Sequence, residues 1–544
     1  MNRGPAAPRP TRRARAATGC AIALLVVLPL VPGVFATGSP FGLIRVPVES
    51  IVVLLVLALV PWRMPRLAVA TLFGAFVAIA VLLAGIDRGY QAALGMRFVP
   101  LDWPQLGDAY GVIAAAIGTT PASAMFTLAA AVIAAICAAL AWAALRVDAA
   151  VRGFPRGHVA LAAVTAAWIA FAAAAPPLGA AAPVAAAAST GSIGSALSRT
   201  VSALQTRALV AREIADDAFA DVPADKLLAG LRGKDVVIVF VESYGRVALE
   251  GDGVSDGVQN VLRAAEDDLA GAGYSMRSAW LTSPTFGGVS WLAHATLQTG
   301  VWADAQAVYD QVVQSDRLSL SAAFGRAGWR TVSDVPSNTR PWEAGATFYG
   351  YDLLLDATNV GYRGPSFGYA RIPDEYTLKH FADRVLADGE PPVMAEIDLV
   401  SSHTPWAPLP EPVPWAQIGD GSVYAEQAAR SPSASEVWQD PASVRRAYGR
   451  SIEYALGALG SFLRNADDRD LVVIALGDHQ PAAIVSGERA SRDVPVSIIA
   501  KDPAVVDAIA GWGWSAGLRP DGESPVWPMD AFRDRFLAAF SAAR

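Results

Sequence analysis

The sequence predicts two unlike units: an N-terminal helical membrane domain of about five transmembrane helices, and a C-terminal α/β domain built on a central, mostly parallel sheet. Three observations predict it. Up to about Leu178 the chain is rich in Ala, Val and Leu, and its charges sit in short clusters. From about Arg207 onward charges are frequent and apolar residues come in short runs. Within that second half, continuous β-branched runs alternate with amphipathic helical patterns. The expected division is a basic tail over 1–16, a membrane domain over 17–178, a linker with a helical segment over 179–233, and the α/β domain over 234–544.

A spanning helix needs roughly 20 mostly apolar residues. Five segments qualify: Ala17–Ala36, Val46–Trp62, Leu67–Gly85, Ser123–Leu145 and His158–Leu178. The second carries Glu49 near one end, where it can reach the interface. The apolar stretch Tyr110–Gly118 is too short to cross and is expected along the surface. With five spans, Arg3, Arg9, Arg12, Arg13, Arg15, Arg63, Arg66, Arg146, Arg152 and Arg156 all share one side. Arg45, Arg88 and Arg97 lie on the other. Lysine and arginine bias then makes the N-terminus cytoplasmic and the C-terminal half extracytoplasmic. The alternative is a first segment cleaved as a signal peptide, leaving four spans.

The formal charge of −7 over 544 residues gives no reason to expect nucleic acid as a partner. The only cysteines, Cys20 and Cys137, fall in the apolar half, so disulfides cannot hold the second half together. Cys20 precedes its apolar run, where a lipoprotein cleavage site would follow it, and reads as a helix residue. Gly179–Ser198, rich in Ala, Ser, Gly and Pro, reads as a linker. A charged helical stretch over Val201–Phe219 leads from it into the α/β domain.

In that domain Asp235–Val241 is a continuous β-branched run, the signature of a strand covered on both faces. Val393–Val400 and Leu471–Leu476 repeat the pattern, and Val494–Ala500 adds a further strand. The clearest helix places Val444, Ala447, Tyr448, Ile452, Ala455, Leu459 and Phe462 at helical spacing. Ligands of such sheets collect at the carboxyl ends of strands. Glu242-Ser243 follows the first run, Ser401-Ser402-His403-Thr404-Pro405 a middle one, and Gly477-Asp478-His479-Gln480-Pro481 a later one.

A carboxylate after one strand and an Asp-His pair after another suit zinc, manganese or a related divalent ion. Taken singly, Glu242 reads equally as a helix cap and His479 as a core or surface histidine. Only five histidines occur in the chain, and two of the four in the second half stand at these strand ends. Thr282–Trp291 carries Gly287-Gly288 shortly before Ser290, at the start of a helical run to Thr299-Gly300. Such a start lets backbone N–H groups face an anion. A dication beside the Ser290 hydroxyl would make it a nucleophile; the alternative is an ordinary N-cap serine.

These residues resemble the alkaline phosphatase/sulfatase superfamily, and within it the membrane branch of lipoteichoic acid synthases and related phosphoglycerol transferases. The resemblance covers roughly Lys234 to Asp502, together with the five-helix prefix. It implies a phosphatase-like sheet, with Glu242, Asp478, His479 and Ser290 as ligands of one divalent ion (Mn, Zn or Mg). Ser290 is implied as the nucleophile, counted back from Thr299-Gly300, with Thr285 as its rival. His403 of the His-x-Pro element is implied as a substrate-binding histidine. Arg340-Pro341-Trp342, followed by Gly350-Tyr351-Asp352, resembles the family's Trp/Arg head-group element with its order altered.

Relatives in the membrane branch mostly carry threonine where this chain has Ser290. An acidic residue four positions later becomes His294, which places His294 among the substrate contacts or in helix packing. Ser290-Trp291-Leu292-Ala293-His294 lacks the Cys-x-Pro-x-Arg signature of sulfatases, so sulfate-ester hydrolysis through formylglycine is not expected. Phosphoethanolamine transferases usually carry disulfides that this chain cannot form. The resemblance therefore implies transfer of a phosphoglycerol-like head group from a membrane phospholipid to an envelope glycan or glycolipid, through a phospho-Ser intermediate. The alternatives are a phosphodiesterase or phosphatase with water as acceptor, and a non-catalytic lipid-binding or signalling relative.

Overall fold

A computed structural model describes residues 11–94, 97–105, 107, 110–111, 113–114, 118–154, 156–174, 185–389, 391–466 and 470–542. Most of the basic tail, the centre of the Tyr110–Gly118 stretch, the end of the fifth apolar segment at 175–178 and the first part of the linker lie outside these residues. The chain divides into two compact units, one formed mainly by residues up to Ser202 and the other mainly by Ala203–Arg544.

The first unit is helical. Its labelled helices are α1 (Arg12–Val27), α2 (Val48–Leu59), α3 (Arg63–Leu94), α4 (Thr119–Arg152), α5 (Gly157–Ala174) and α6 (Ala188–Ala215), of which α6 continues into the second unit. Three helical stretches among the described residues are long and apolar enough to cross a membrane: Arg12–Thr37, Arg63–Ala92 and Thr119–Arg152. The first passes through Pro29 and Pro32 with a short 3-10 turn at Leu28–Leu30. Where Val46–Trp62 was expected to span, α2 has 12 residues. At 1.5 Å per residue it is about 18 Å long, against about 30 Å of hydrocarbon. It stops before Pro61, which cannot supply the next backbone donor. Apolar residues of α5 run over Gly157–Ala172, again short of a full span within the described residues.

Packing in this unit follows small residues. Gly74 of α3 lies so close to α4 that a Cβ there would collide with the Cys137 carbonyl oxygen, a close approach of the kind membrane helices favour. Asp148, almost wholly buried, pairs with Arg66 and Arg152 at 3.0 Å each. The Arg152 guanidinium also donates to the Val60 carbonyl at 2.9 Å. Arg146 donates to the Ala14 carbonyl at 2.8 Å. Of these arginines, expected on one side, Arg152 satisfies carbonyls left open at the C-terminal end of α2.

The Ala188–Ser198 part of the expected linker is helical. Its first turn has partners that the composition does not reveal. Glu49 accepts from the Thr190 N–H at 3.0 Å, a carboxylate at a helix N-terminus. Ser189 donates to the Pro29 carbonyl at 3.0 Å, and Ser192 to that of Ala80 at 3.2 Å. Tertiary hydrogen bonds outweigh the weak helix propensity of Gly and Ser.

The second unit holds a nine-stranded, mixed, mostly parallel sheet. Its strands are β1 (Val236–Val241), β2 (Ser275–Thr282), β3 (Arg330–Val335), β4 (Leu353–Asp356), β5 (Val393–Leu399), β6 (Val472–Gly477), β7 (Asp493–Ala500), β8 (Ser515–Ala516) and β9 (Val526–Pro528). They run in the order β8-β2-β7-β6-β1-β5-β3-β4, with β9 paired to β2. The centre, β6-β1-β5-β3-β4, is parallel, and β7 is antiparallel to both of its neighbours.

Alternate residues of β1 enter two cores. Val237, Val239 and Val241 face α7 (Ser255–Gly271), α10 (Asp374–Arg384) and α11 (Pro441–Asn465). Val236, Ile238 and Phe240 face α8 (Ser290–Thr299), α9 (Leu320–Ala327) and α12 (Ala531–Phe540). Each buried Val, Ile or Phe contributes about 1.5–3 kcal/mol, so a strand with both faces covered is strongly fixed in register. The helix expected from Val444 to Phe462 is α11; Asp440 caps it by accepting from the Ser443 N–H at 3.0 Å.

Candidate active site

The register of the three central strands brings the chemistry together. Val241 of β1 lies level with Leu399 of β5 on one side and with Gly477 of β6 on the other. Glu242, Val400 and Asp478 therefore leave the sheet at one height, at the carboxyl ends of adjacent parallel strands. Gly477 is needed for this approach, because a Cβ there would collide with the Tyr244 carbonyl oxygen.

Beyond the strand ends the chain turns sharply. Ser243 adopts φ 57°, an unusual left-handed conformation. Its carbonyl accepts from the Tyr448 hydroxyl at 2.9 Å. The Ser402 hydroxyl holds the Glu242 carbonyl at 2.6 Å. A second tight turn delivers Ser290 at the head of α8. Gly287 and Gly288 have φ of 74° and 154°, and Val289 has φ 58°. For a β-branched residue that is a strained conformation, worth roughly 1–3 kcal/mol.

Glu242, Asp478 and His479 bring one ligand atom each to within 4.8 Å of the others. His479 Nδ1 pairs with the Gln480 carbonyl at 2.9 Å. A carbonyl only accepts, so Nδ1 carries a proton and Nε2 is the ring atom that faces inward. Nε2 lies 3.5 Å from Glu242 Oε1 and 3.4 Å from Asp478 Oδ2. Asp478 Oδ1 accepts from the N–H groups of Ser243 and His479, both at 2.7 Å. Its Oδ2 is buried with no hydrogen-bond partner.

Two carboxylates and a ring nitrogen converging on one point are unfavourable unless a cation, a metal ion or a proton on Nε2, lies among them. The 3.4–3.5 Å spacings also match the edge of a tetrahedron, about 3.3–3.4 Å for bonds of 2.0–2.1 Å. The three residues thus fit a dication. The Ser290 hydroxyl adjoins the same point, 3.0 Å from Glu242 Oε2 and 3.2 Å from His479 Nε2.

The protons in this cluster are unevenly held. Burial pushes the Glu242 carboxyl up, but the His403 and His479 imidazoles and the Ser243 hydroxyl outweigh it and hold it at about 2. Burial and the Glu242 charge push Asp478 up to about 6. Two carboxylates sharing one site separate in this way.

The other residues expected at the site divide. His403 interacts electrostatically with Glu242 and His479, and burial depresses its basicity. Its ring stacks on Tyr369 with centroids 3.7 Å apart. Thr285 is fully buried, with its hydroxyl 3.4 Å from that of Ser283. Arg340 and Trp342 line a cavity of about 270 Å³ beside Ser333, Asn338 and Asp356. No described contact joins them to the Glu242 cluster. Trp342 instead packs against Tyr349 and Tyr351, at 5.2 and 6.1 Å.

His294 belongs to a second cluster, with Glu396 and Asp398. Those two acids were not foreseen. They alternate inside Val393–Val400, which reads as an apolar strand; two carboxylates on one face of a buried parallel strand were the available signal. Asp398 pairs with Phe240 in register, and the His294 ring stacks on Phe240 at 3.7 Å and 9°. Burial lowers the basicity of His294, but the Asp398 and Glu396 charges dominate and raise it to about 9.

The chain matches no family model and no curated protein sequence. Among solved structures it is similar to the integral membrane lipooligosaccharide phosphoethanolamine transferase A (EptA) from Neisseria meningitidis, at 14% identity over 96% of this chain and 95% of that one, TM-score 0.45. It is also similar to the phosphoglycerol transferase GacH from Streptococcus pyogenes, at 13% identity over 60% and 79%, TM-score 0.36. The lipoteichoic acid synthase LtaP from Listeria monocytogenes is 15% identical over 51% and 67%, TM-score 0.31. At these identities and scores the function proposed below stands on the site's own side chains.

Proposed function

We propose that the protein is a metal-dependent transferase that moves a phosphoglycerol-like head group from a membrane phospholipid to an envelope glycan or glycolipid. The observation that carries this reading is the position of Ser290 Oγ, 3.0 Å from Glu242 and 3.2 Å from His479 Nε2. A dication (Mn, Zn or Mg) held by Glu242, Asp478 and His479 supplies Lewis acidity, lowering the hydroxyl pKa and drawing charge from a phosphate oxygen.

Ser290 Oγ attacks phosphorus. The Oγ–P bond forms, the bond from phosphorus to the diacylglycerol oxygen breaks, and the serine proton passes to solvent. His403 stabilises the phosphate charge or protonates the departing oxygen. An acceptor hydroxyl then attacks the phosphorus: its O–P bond forms, the Ser290 Oγ–P bond breaks, and the acceptor's proton passes through solvent to Ser290 Oγ. The α8 N-terminus faces the developing charge. Arg340 and Trp342 contact the head group from their cavity.

A membrane unit on the same chain suits a lipid donor. In this reading five segments cross, of which α2 and α5 are short within the described residues. The arginine-rich ends are cytoplasmic and the α/β domain is extracytoplasmic. The test is to incubate purified protein with labelled phospholipids and analyse the Ser290 peptide by mass spectrometry. A head-group adduct on Ser290, chased into an added acceptor, is expected. Release of free head group alone would make water the acceptor. Turnover by Ser290→Ala at the parent rate would overturn the nucleophile.

A further inference from the structure

We propose that His294, Glu396 and Asp398 form a second dication site, of the zinc or manganese class, one helical turn below the nucleophile. His294 follows Ser290 by four residues on α8, so both side chains point from one face of that helix. Glu396 and Asp398 pair in register with Ile238 and Phe240. Asp398 therefore sits about 7 Å and Glu396 about 13 Å below the level of Glu242, at about 3.3 Å per strand residue.

The donor geometry repeats that of the upper cluster. His294 Nδ1 lies 3.1 Å from Glu396 Oε1 and 3.6 Å from Asp398 Oδ1, spacings that bracket the edge of a zinc tetrahedron, about 3.3–3.4 Å. The alternative occupant is a proton on His294. His294 Nδ1 lies within hydrogen-bond reach of Glu396 Oε1 at 3.1 Å, but not of Asp398 Oδ1 at 3.6 Å. Asp398 Oδ1 is buried and has no hydrogen-bond partner.

Outer partners fix the ligand oxygens. Glu396 Oε2 accepts from the Tyr351 hydroxyl at 2.9 Å and from the Gln298 amide, leaving Oε1 turned toward His294. The Gln298 carbonyl is itself held by the Ser321 N–H at 3.0 Å. Phe240 locks the imidazole plane. Such partners orient first ligands in metal sites and set affinity.

Charge balance points the same way. The Glu242, Asp478 and Glu396 carboxylates all act on Asp398, so four carboxyl groups lie near one another. Buried negative charge without a cationic partner is costly. The His294 and Asp398 side chains keep 13% and 17% exposure, enough of an opening for an ion.

The inference is read from metal content and is independent of the transferase reading. Full-length protein in detergent is stripped with chelator, re-equilibrated with Zn²⁺ or Mn²⁺, and assayed by elemental mass spectrometry and calorimetry. Two equivalents are expected in the parent chain and one in Asp398→Asn, with the lost site weakened at least tenfold. Glu242→Gln should lose the other equivalent. One equivalent in the parent, abolished by Glu242→Gln and untouched by Asp398→Asn, would overturn the proposal in favour of a protonated His294. Two equivalents persisting in both Asp398→Asn and His294→Ala would overturn it as well. Should Asp398→Asn not fold, Glu396→Gln and the parent stoichiometry decide.

Discussion

The two carboxylate–histidine clusters of the α/β unit use the same donor types, yet they are built in opposite ways. The upper one, Glu242, Asp478 and His479, comes from chain that has just left the sheet, where turns set each side chain. The lower one, His294, Glu396 and Asp398, is carried inside regular structure, on a strand and a helix. A turn can aim a ligand only by adopting unusual dihedrals, seen at Ser243 and Val289. Regular structure aims ligands without that cost. The upper cluster is buried beside strained backbone, and the lower one is partly exposed on regular structure.

The comparison breaks most visibly at Ser290. Ser290→Ala should lower turnover of labelled phospholipid by about 10⁴-fold or more, with the melting profile unchanged. Glu242→Gln should cost roughly 10²–10³-fold in the same assay and one metal equivalent. A smaller effect is expected at the outer support of the lower cluster. Tyr351→Phe removes one hydrogen bond from Glu396 and should weaken the second metal equivalent about tenfold, by calorimetry.

Backbone strain gives a gain in stability. Val289→Gly should raise stability by about 1 kcal/mol in thermal melts, while kcat falls several-fold as Ser290 loses its fixed position.

Asp334 tests the electrostatic cost alone. It is buried, neither carboxylate oxygen has a hydrogen-bond partner, and burial with the Asp398 and Asp356 charges holds it up at about 8. The folded chain keeps a proton there that the unfolded chain gives up above about 4. The stability this group allows is full below about pH 4 and is lost as pH rises through 8. Asp334→Asn should flatten that decline, with a gain of about 1 kcal/mol at pH 8, in chelator, relative to the parent.

The same contrast explains what could be read from the chain. Glu242, His403, Asp478 and His479 follow apolar runs directly, so their place at strand ends was legible. So were the four strands that are mostly apolar runs. The structure adds β2, whose Arg277 and Ser278 break the apolar pattern, and the short edge strands β3 and β4. Glu396 and Asp398 were hidden because a run of eight mostly apolar residues reads as core, whichever two of them are acids. His294 was noticed through its spacing from Ser290, but its partners lie about a hundred residues away, beyond any local pattern. In the membrane unit, α2 came out shorter than its apolar run. Hydropathy counts residues, and Pro61 decides where the helix stops. Helix α6 began earlier than composition suggests, because Glu49 lies 141 positions from its first turn.

Ser290 and His294 ride on a single ten-residue rod, α8. A slide of that rod along its axis would shift the attacking oxygen and the lower imidazole together and in the same sense. Occupancy of one ion pocket would therefore be felt at the other as a change in reach, with no rearrangement of the sheet between them.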